Sequence, residues 1–160
     1  MIDLAKIFDL DEIVILAKKV RENMQLNGLM QWVDDYPGYQ HFLNDLNRKG
    51  LYIFKDDNRI VASMSLLEEN DPPYNEVDWE SDQAMVIHRI FVDPSYQKKG
   101  IAKKLFQFAI DLAKISGFNA IKIDTHPDNV KMQTLLRSMN FIYRGYFSSI
   151  NRFAYEYLID

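Results

Sequence analysis

The chain has 160 residues, 48% of them apolar, and a formal net charge of -4 at pH 7. That length and composition suit one domain over residues 1–160, which would bury roughly two thirds of its extended surface, and they exclude disorder throughout. Cysteine is absent, which removes disulfides, thiolate metal sites and cysteine nucleophiles and fits a reducing compartment.

The net charge hides an asymmetry. Residues 1–80 hold 8 Lys/Arg against 16 Asp/Glu, whereas residues 81–160 hold 11 against 7. Long-range attraction to nucleic acid is therefore adverse overall, while a local anion site in the second half stays open. The opening residues lack a basic leader followed by an apolar core, and no apolar run approaches the roughly 18 residues needed to span a bilayer. The expectation is a cytoplasmic protein without a membrane or nucleic-acid partner.

In chain order, residues 2–6 read as a short strand and residues 9–24 as a helix. Asp9 or Asp11 can cap that helix, with Ile13, Leu16, Ala17 and Val20 on its buried stripe. A second helix is predicted over 37–47, where Phe42, Leu43 and Leu46 share a face; Trp32 and Tyr36 before it suit either core packing or a pocket wall. Residues 51–54 and 60–67 form a predicted hairpin around Asp56-Asp57-Asn58. Residues 68–83, with seven acids, two prolines and no base, read as an exposed loop.

The next strand runs from Ala84 to Val92, and Asp93-Pro94 stops it. From Gly100 to Ser116 the periodicity is strongly helical, with Ile101, Leu105, Phe108 and Leu112 on one stripe and Gly117 as its left-handed stop. A strand at 120–123 leads into a polar crossover from Thr125 to Asn129. Met132, Leu135, Leu136 and Met139 then space a further helix that Asn140 can end. Two aromatic-rich strands, 141–147 and 153–159, close the chain. The predicted class is α/β (α+β), a mixed sheet with flanking helices.

Between strand and helix lies Gln97-Lys98-Lys99-Gly100-Ile101-Ala102. A helix N-terminus presents unpaired N–H donors and the positive end of its dipole, and glycine lets a ligand approach the backbone closely. Lys98, Lys99, Lys103 and Lys104 would add charge to a phosphate site. An ordinary solvated helix start fits these six residues equally well. Neither G-x-x-x-x-G-K-[ST] nor G-x-G-x-x-G is present, which argues against nucleotide hydrolysis and dinucleotide binding.

The surroundings narrow the choice. Ile90-Phe91-Val92-Asp93-Pro94, then Tyr96 through Ala102 and Leu105, resembles the acetyl-CoA-binding core of the GNAT superfamily of N-acetyltransferases, whose signature there is [Q/R]-x-x-G-x-[G/A]. The likeness continues through Asp124-Thr125, Asn129, the 132–139 helix, Asn140-Phe141 and Gly145; Trp32, Tyr36-Pro37 and Gly50 also look like small-substrate members. The resemblance implies a mixed, mostly antiparallel central sheet and acetyl-CoA as cosubstrate. Its pyrophosphate would lie on Gln97, Lys98, Lys99, Gly100, Ile101, Ala102 and Lys103. Its pantetheine would run along Ile90, Phe91 and Val92, where the strand splays from its neighbour at 120–124, with Asn129 and Met132 near the thioester. Family members often pair, so a homodimer is one expected assembly.

The implied reaction is acetyl transfer to a primary amine of a small molecule or peptide. It needs a proton acceptor, a donor for the developing oxyanion and a way to release the thiolate. Histidine is the side chain whose ordinary pKa lies nearest neutrality, and His88 stands on the strand before the motif, so it is the candidate base beside a purely structural reading. If the strand alternates, Val86, His88, Ile90 and Val92 share one side and Arg89 faces the other. Glu80 and Asp82 can act through water or simply be solvated. His126 suits loop capping, and His41 carries little signal. The three histidines share no metal-ligand spacing with acids, so no metal is expected.

Where many relatives carry a tyrosine general acid, this chain has Leu136. Tyr143 or Tyr146 would have to replace it, or water and backbone donors would release the thiolate. The alternative reading is a non-catalytic acyl-CoA-binding regulatory module. The acidic segment can attract a cationic amine, chiefly through Glu76, Asp78 and Glu80.

Overall fold

The computed structural model describes residues 1–160. Two compact units divide the chain, Met1–Leu67 with His88–Phe106 and Glu68–Ile87 with Gln107–Asp160.

In the first unit, strand β1 (Ile2–Leu4) pairs antiparallel with β2 (Leu51–Asp56), and β2 pairs antiparallel with β3 (Arg59–Leu67). Asp57 and Asn58 join β2 to β3 with φ of 48° and 63°. Two successive left-handed residues match the twist of paired strands, and Asp and Asn tolerate that region. Helix α1 (Leu10–Leu26) buries Leu10, Ile13, Leu16, Ala17, Val20 and Arg21, the stripe predicted from spacing with Leu10 and Arg21 added. Asp9 precedes it, but its carboxylate accepts the Lys6 N–H at 2.8 Å and so closes the preceding turn instead of capping the helix.

Helix α2 (Tyr39–Asn47) places Phe42 against Trp32 and Phe91 in the same core cluster. Fully burying a side chain of this size contributes roughly 1.5–3 kcal/mol before entropy is counted. Its buried face also carries Asp45, which apolar spacing does not reveal. Strand β3 is buried on both faces, so its Ser63 and Ser65 hydroxyls must find partners: Ser63 donates to the Tyr52 carbonyl at 2.8 Å and Ser65 to Asp45 at 2.5 Å.

In the second unit, the first residues of β4 (Ala84–Val92) pair in parallel with β5 (Ala120–Thr125), from Ala84↔Ala120 to Ile87↔Ile123. Strand β7 (Arg152–Leu158) pairs antiparallel with β5 and with β6 (Ile142–Phe147). Thr125 is a strand residue, fully buried opposite Phe153, so the polar crossover begins one residue later than the sequence suggests. Helix α3 (Ile101–Ile115) ends before Gly117 at φ 88°, and α4 (Val130–Ser138) before Asn140 at φ 69°. Both stops are the left-handed ones expected. The strand order is β1-β2-β3-β4-β5-β7-β6, a mixed and mostly antiparallel sheet with flanking helices.

Residues 68–83 are more than an exposed loop. Pro72–Glu76 form a 3-10 turn that buries Tyr74 in a cluster with Val86, Phe147 and Ala154. Trp79 stacks on Tyr74, and its indole N–H donates to the Tyr74 carbonyl at 2.7 Å. The fully buried Glu156 accepts from the N–H groups of Glu80 and Ser81, each at 3.0 Å, and from Arg144 at 2.7 Å. Gly145 permits close packing here, since a Cβ on it would stand 2.9 Å from Val77. No helix is long and apolar enough to cross a membrane.

Candidate functional site

The segment after β4 is held from below by Asp93. Its carboxylate is 1% exposed and accepts from Lys19 Nζ, Arg59 Nη2 and the Ser95 N–H, each at 2.9 Å; its own N–H donates to the Val61 carbonyl at 2.7 Å. Burial pushes this carboxyl up, but the Lys19, Ser95 and Arg59 hydrogen bonds outweigh burial and hold it below the ordinary aspartate range. Pro94 then opens a short 3-10 turn with no N–H to satisfy.

Asp93→Asn keeps the shape and removes the charge, so it is expected to cost about 1–2 kcal/mol at neutral pH, a fall in Tm of roughly 3–6 °C. Because folding lowers this pKa, the contribution is complete above the unfolded value near 4 and disappears as pH falls through the folded value. The two melting curves should therefore begin to draw together as pH falls below about 4 and meet once pH is below the folded value. A gap that persists there would contradict an ionic role.

Beyond Tyr96 the backbone alternates in handedness, with φ of 65° at Lys98 and 76° at Gly100. Alternation of this kind turns successive N–H groups toward one point and forms an anion-binding concavity. For lysine the left-handed state costs roughly 1–2 kcal/mol. The first bond of α3 runs from the Lys104 N–H to the Gly100 carbonyl at 3.1 Å, so the N–H groups of Ile101, Ala102 and Lys103 precede the helical ladder at its positive end. A Cβ built on Gly100 meets nothing within 4 Å. Gln97 through Gly100 are exposed.

Two of the four lysines lie over aromatic rings. Lys99 Nζ lies 4.9 Å from the Tyr96 ring centroid, with Arg59 at 5.6 Å from the same ring, and Lys104 lies 5.8 Å from the Phe54 ring centroid.

Upstream, β4 is irregular. Arg89 sits at φ 49°, outside the extended region, so alternation cannot carry the shared side of Val86 and His88 through to Ile90 and Val92. Two hydrogen bonds of 2.7 Å bind its guanidinium to both oxygens of Asp45, and Nη1 donates to the Tyr36 hydroxyl at 3.1 Å. Burial pulls the Arg89 pKa down, but the Asp45 hydrogen bonds and Tyr36 drive it above the ordinary arginine value. His88, Ile90 and Val92 are half-buried. The Phe91 ring belongs to the core, 5.5 Å from Trp32 and 6.0 Å from Phe42, leaving only its backbone for a ligand. Trp32 is likewise core at 4% exposure.

In the second unit, Asn129 is the N-cap of α4 and accepts the Met132 N–H at 3.1 Å. His126 accepts the Asp128 N–H through Nδ1 at 3.0 Å, the loop-capping role expected of it; burial and Arg152 lower its pKa against the opposing pull of Asp128. Leu136 is fully buried. Tyr143 packs edge-on against Phe153 and Tyr155, and the Tyr146 hydroxyl donates to Asn151 at 2.8 Å. Tyr74, which the sequence reading passed over, donates to Asp124 at 2.7 Å; burial and the adjacent Asp124 charge raise its pKa well above the ordinary value, so it holds its proton. An aromatic pair inside an acidic run was the signal that could have found it.

This unit also contains a cavity of about 1160 Å3 lined by Glu68, Asp78, Glu80, Asp82, Trp79 and Lys122 among others. Lys122 Nζ lies 4.7 Å from the Trp79 ring centroid; burial lowers its pKa while Glu156 and Asp82 oppose that shift. Glu76 is directed elsewhere, accepting from Ser148 and Ser149, so it drops out of the acidic trio named from sequence.

The chain belongs to the acetyltransferase (GNAT) family, whose model matches residues 17–141. It is similar to a Staphylococcus aureus Mu50 protein assigned as an acetyltransferase, with 28% identity, a TM-score of 0.79, and coverage of 100% of this chain and 99% of that one. A GNAT-family acetyltransferase of Streptococcus agalactiae 2603 aligns over 100% of this chain and 95% of its own, with 23% identity and a TM-score of 0.88. The PaiA N-acetyltransferase of Thermoplasma acidophilum, solved in complex with coenzyme A, aligns over 99% and 98% at 14% identity and a TM-score of 0.78. Human N-acetyltransferase 8 is 23% identical over 90 residues; the match spans 56% of this chain and 37% of that protein.

Proposed function

We propose that the protein transfers the acetyl group of acetyl-CoA to a primary amine. The carrying observation is the alternation of handedness at Lys98 and Gly100, which opens onto the N-terminus of α3 with clear space at Gly100. The coenzyme A pyrophosphate would be held by the backbone from Gln97 to Lys103, with pantetheine along Ile90–Val92. Membership of the family and the coenzyme A complex of the Thermoplasma relative support this reading. Absence of cysteine fits a cytoplasmic setting.

In the reaction the amine nitrogen bonds to the acetyl carbon, the carbon–sulfur bond breaks and coenzyme A leaves as its thiolate, which takes a proton from water. His88 takes the proton that the amine loses. Holding both reactants in place supplies much of the rate advantage, and no covalent enzyme intermediate is needed. Titration calorimetry with acetyl-CoA tests the first half: saturable one-site binding is expected, and its absence overturns the proposal. Release of coenzyme A thiol across a panel of diamines and peptide N-termini tests the second. Binding without release would favour an acyl-CoA-binding regulatory module, which the burial of Leu136 at the usual tyrosine position keeps in view.

The acceptor we propose is cationic, because Asp78, Glu80 and Asp82 line one cavity with Trp79. Replacing the three acids by their amides is expected to raise acceptor KM about threefold to tenfold at low salt, with kcat within twofold, and the effect should shrink as ionic strength rises. A fixed KM would show that the acids only solvate the surface.

A further inference from the structure

Arg89 is the one arginine with a left-handed backbone, and it stands in the middle of a nine-residue strand. Nothing in its residue type favours that conformation; Asn, Asp and Gly are the usual occupants. What holds it is remote in sequence. Asp45, 44 positions earlier on α2, takes the guanidinium in a two-pronged bond, and Ser65 on β3 donates to the same carboxylate at 2.5 Å. Tyr36 fixes the third guanidinium nitrogen. The side chains of Arg89 and Asp45 are 14% and 3% exposed, so neither partner can turn to water without breaking the pair.

We infer that Arg89 and Asp45 are a positioning pair for the acetyl-CoA site proposed above: their ion pair holds residue 89 left-handed, redirects β4 after His88, and so sets the direction in which Ile90 and Val92 present their backbone. The inference rests on that proposed site. It explains why a charged pair is buried beside an apolar core in which Phe42 and Phe91 pack at 6.0 Å. A hydrophobic pair of the same volume would hold α2 against β4 equally well or better. It would not select one backbone conformation at residue 89.

Backbone shape and lost charge can be separated by comparing glycine with alanine at position 89, each combined with Asp45→Asn so that no buried carboxylate is stranded. Glycine adopts the left-handed state freely and alanine does not. The Kd for acetyl-CoA is expected to rise about tenfold in Asp45→Asn/Arg89→Ala and less than threefold in Asp45→Asn/Arg89→Gly. Equal losses in the two, or no loss in either, would overturn the positioning role. Hydrogen exchange at the Ile90 and Val92 amides supplies a readout without ligand: altered protection is expected in the alanine variant and native protection in the glycine variant. If wild-type protein fails to bind acetyl-CoA, the proposed function falls, and this exchange comparison still decides whether the pair shapes β4. Should the double variants not fold, Arg89→Lys replaces them. One ammonium cannot make the two-pronged bond, so a threefold or larger rise in Kd with altered exchange is expected, and native values for both would overturn the inference.

Discussion

His88→Ala is expected to lower kcat/KM by roughly two to three orders of magnitude, the usual contribution of a positioned general base, with the Kd for acetyl-CoA changing less than threefold. The two effects separate because the proposed contacts to coenzyme A are made by backbone from Ile90 onward, not by the imidazole. The residue is half-buried on β4, directly before the left-handed Arg89, where the strand changes course. His88→Gln sharpens the test. Glutamine keeps hydrogen-bonding capacity at similar size but accepts no proton near neutrality, so it should be as impaired as alanine. Activity near wild type in the glutamine variant would reassign His88 to structure. A loss confined to KM would point instead to acceptor binding.

Some of this was written locally in the sequence. The limits of β4 follow from a run of apolar and β-branched residues closed by Asp93-Pro94, and those of α3 from an uninterrupted helical stripe closed by Gly117. Such signals need no distant partner. Asp93 reads as a strand stop, and it is one, but its larger role depends on Lys19 and Arg59, 74 and 34 residues away. Arg89 is the sharper case. Extended propensity governs every residue around it, and the left-handed turn is imposed by a carboxylate on another helix. Periodicity cannot register a conformation stabilised only after α2 and β4 have met. Composition misleads at 68–83 for a related reason. Seven acids predict solvent exposure, but Tyr74 and Glu156 fasten the segment from within, and neither anchor is charged surface.

The proposed phosphate cradle makes the other large prediction. Gly100 has two properties that a substitution can separate: a left-handed φ of 76°, and open space where a Cβ would stand. Valine violates both, because a β-branched residue resists the left-handed region and its methyl groups enter the space the pyrophosphate would occupy. Asparagine violates only the second, since it adopts left-handed backbone readily. Gly100→Val is therefore expected to lose acetyl-CoA affinity by about a hundredfold, or roughly 2.7 kcal/mol, together with some thermal stability. Gly100→Asn should lose about tenfold in affinity with Tm little changed. The ordering carries the argument, because a glycine required only for folding would give an asparagine variant with native affinity. If both variants bind acetyl-CoA as wild type does, the pyrophosphate lies elsewhere, and the alternating backbone from Lys98 to Gly100 would serve only to start a helix.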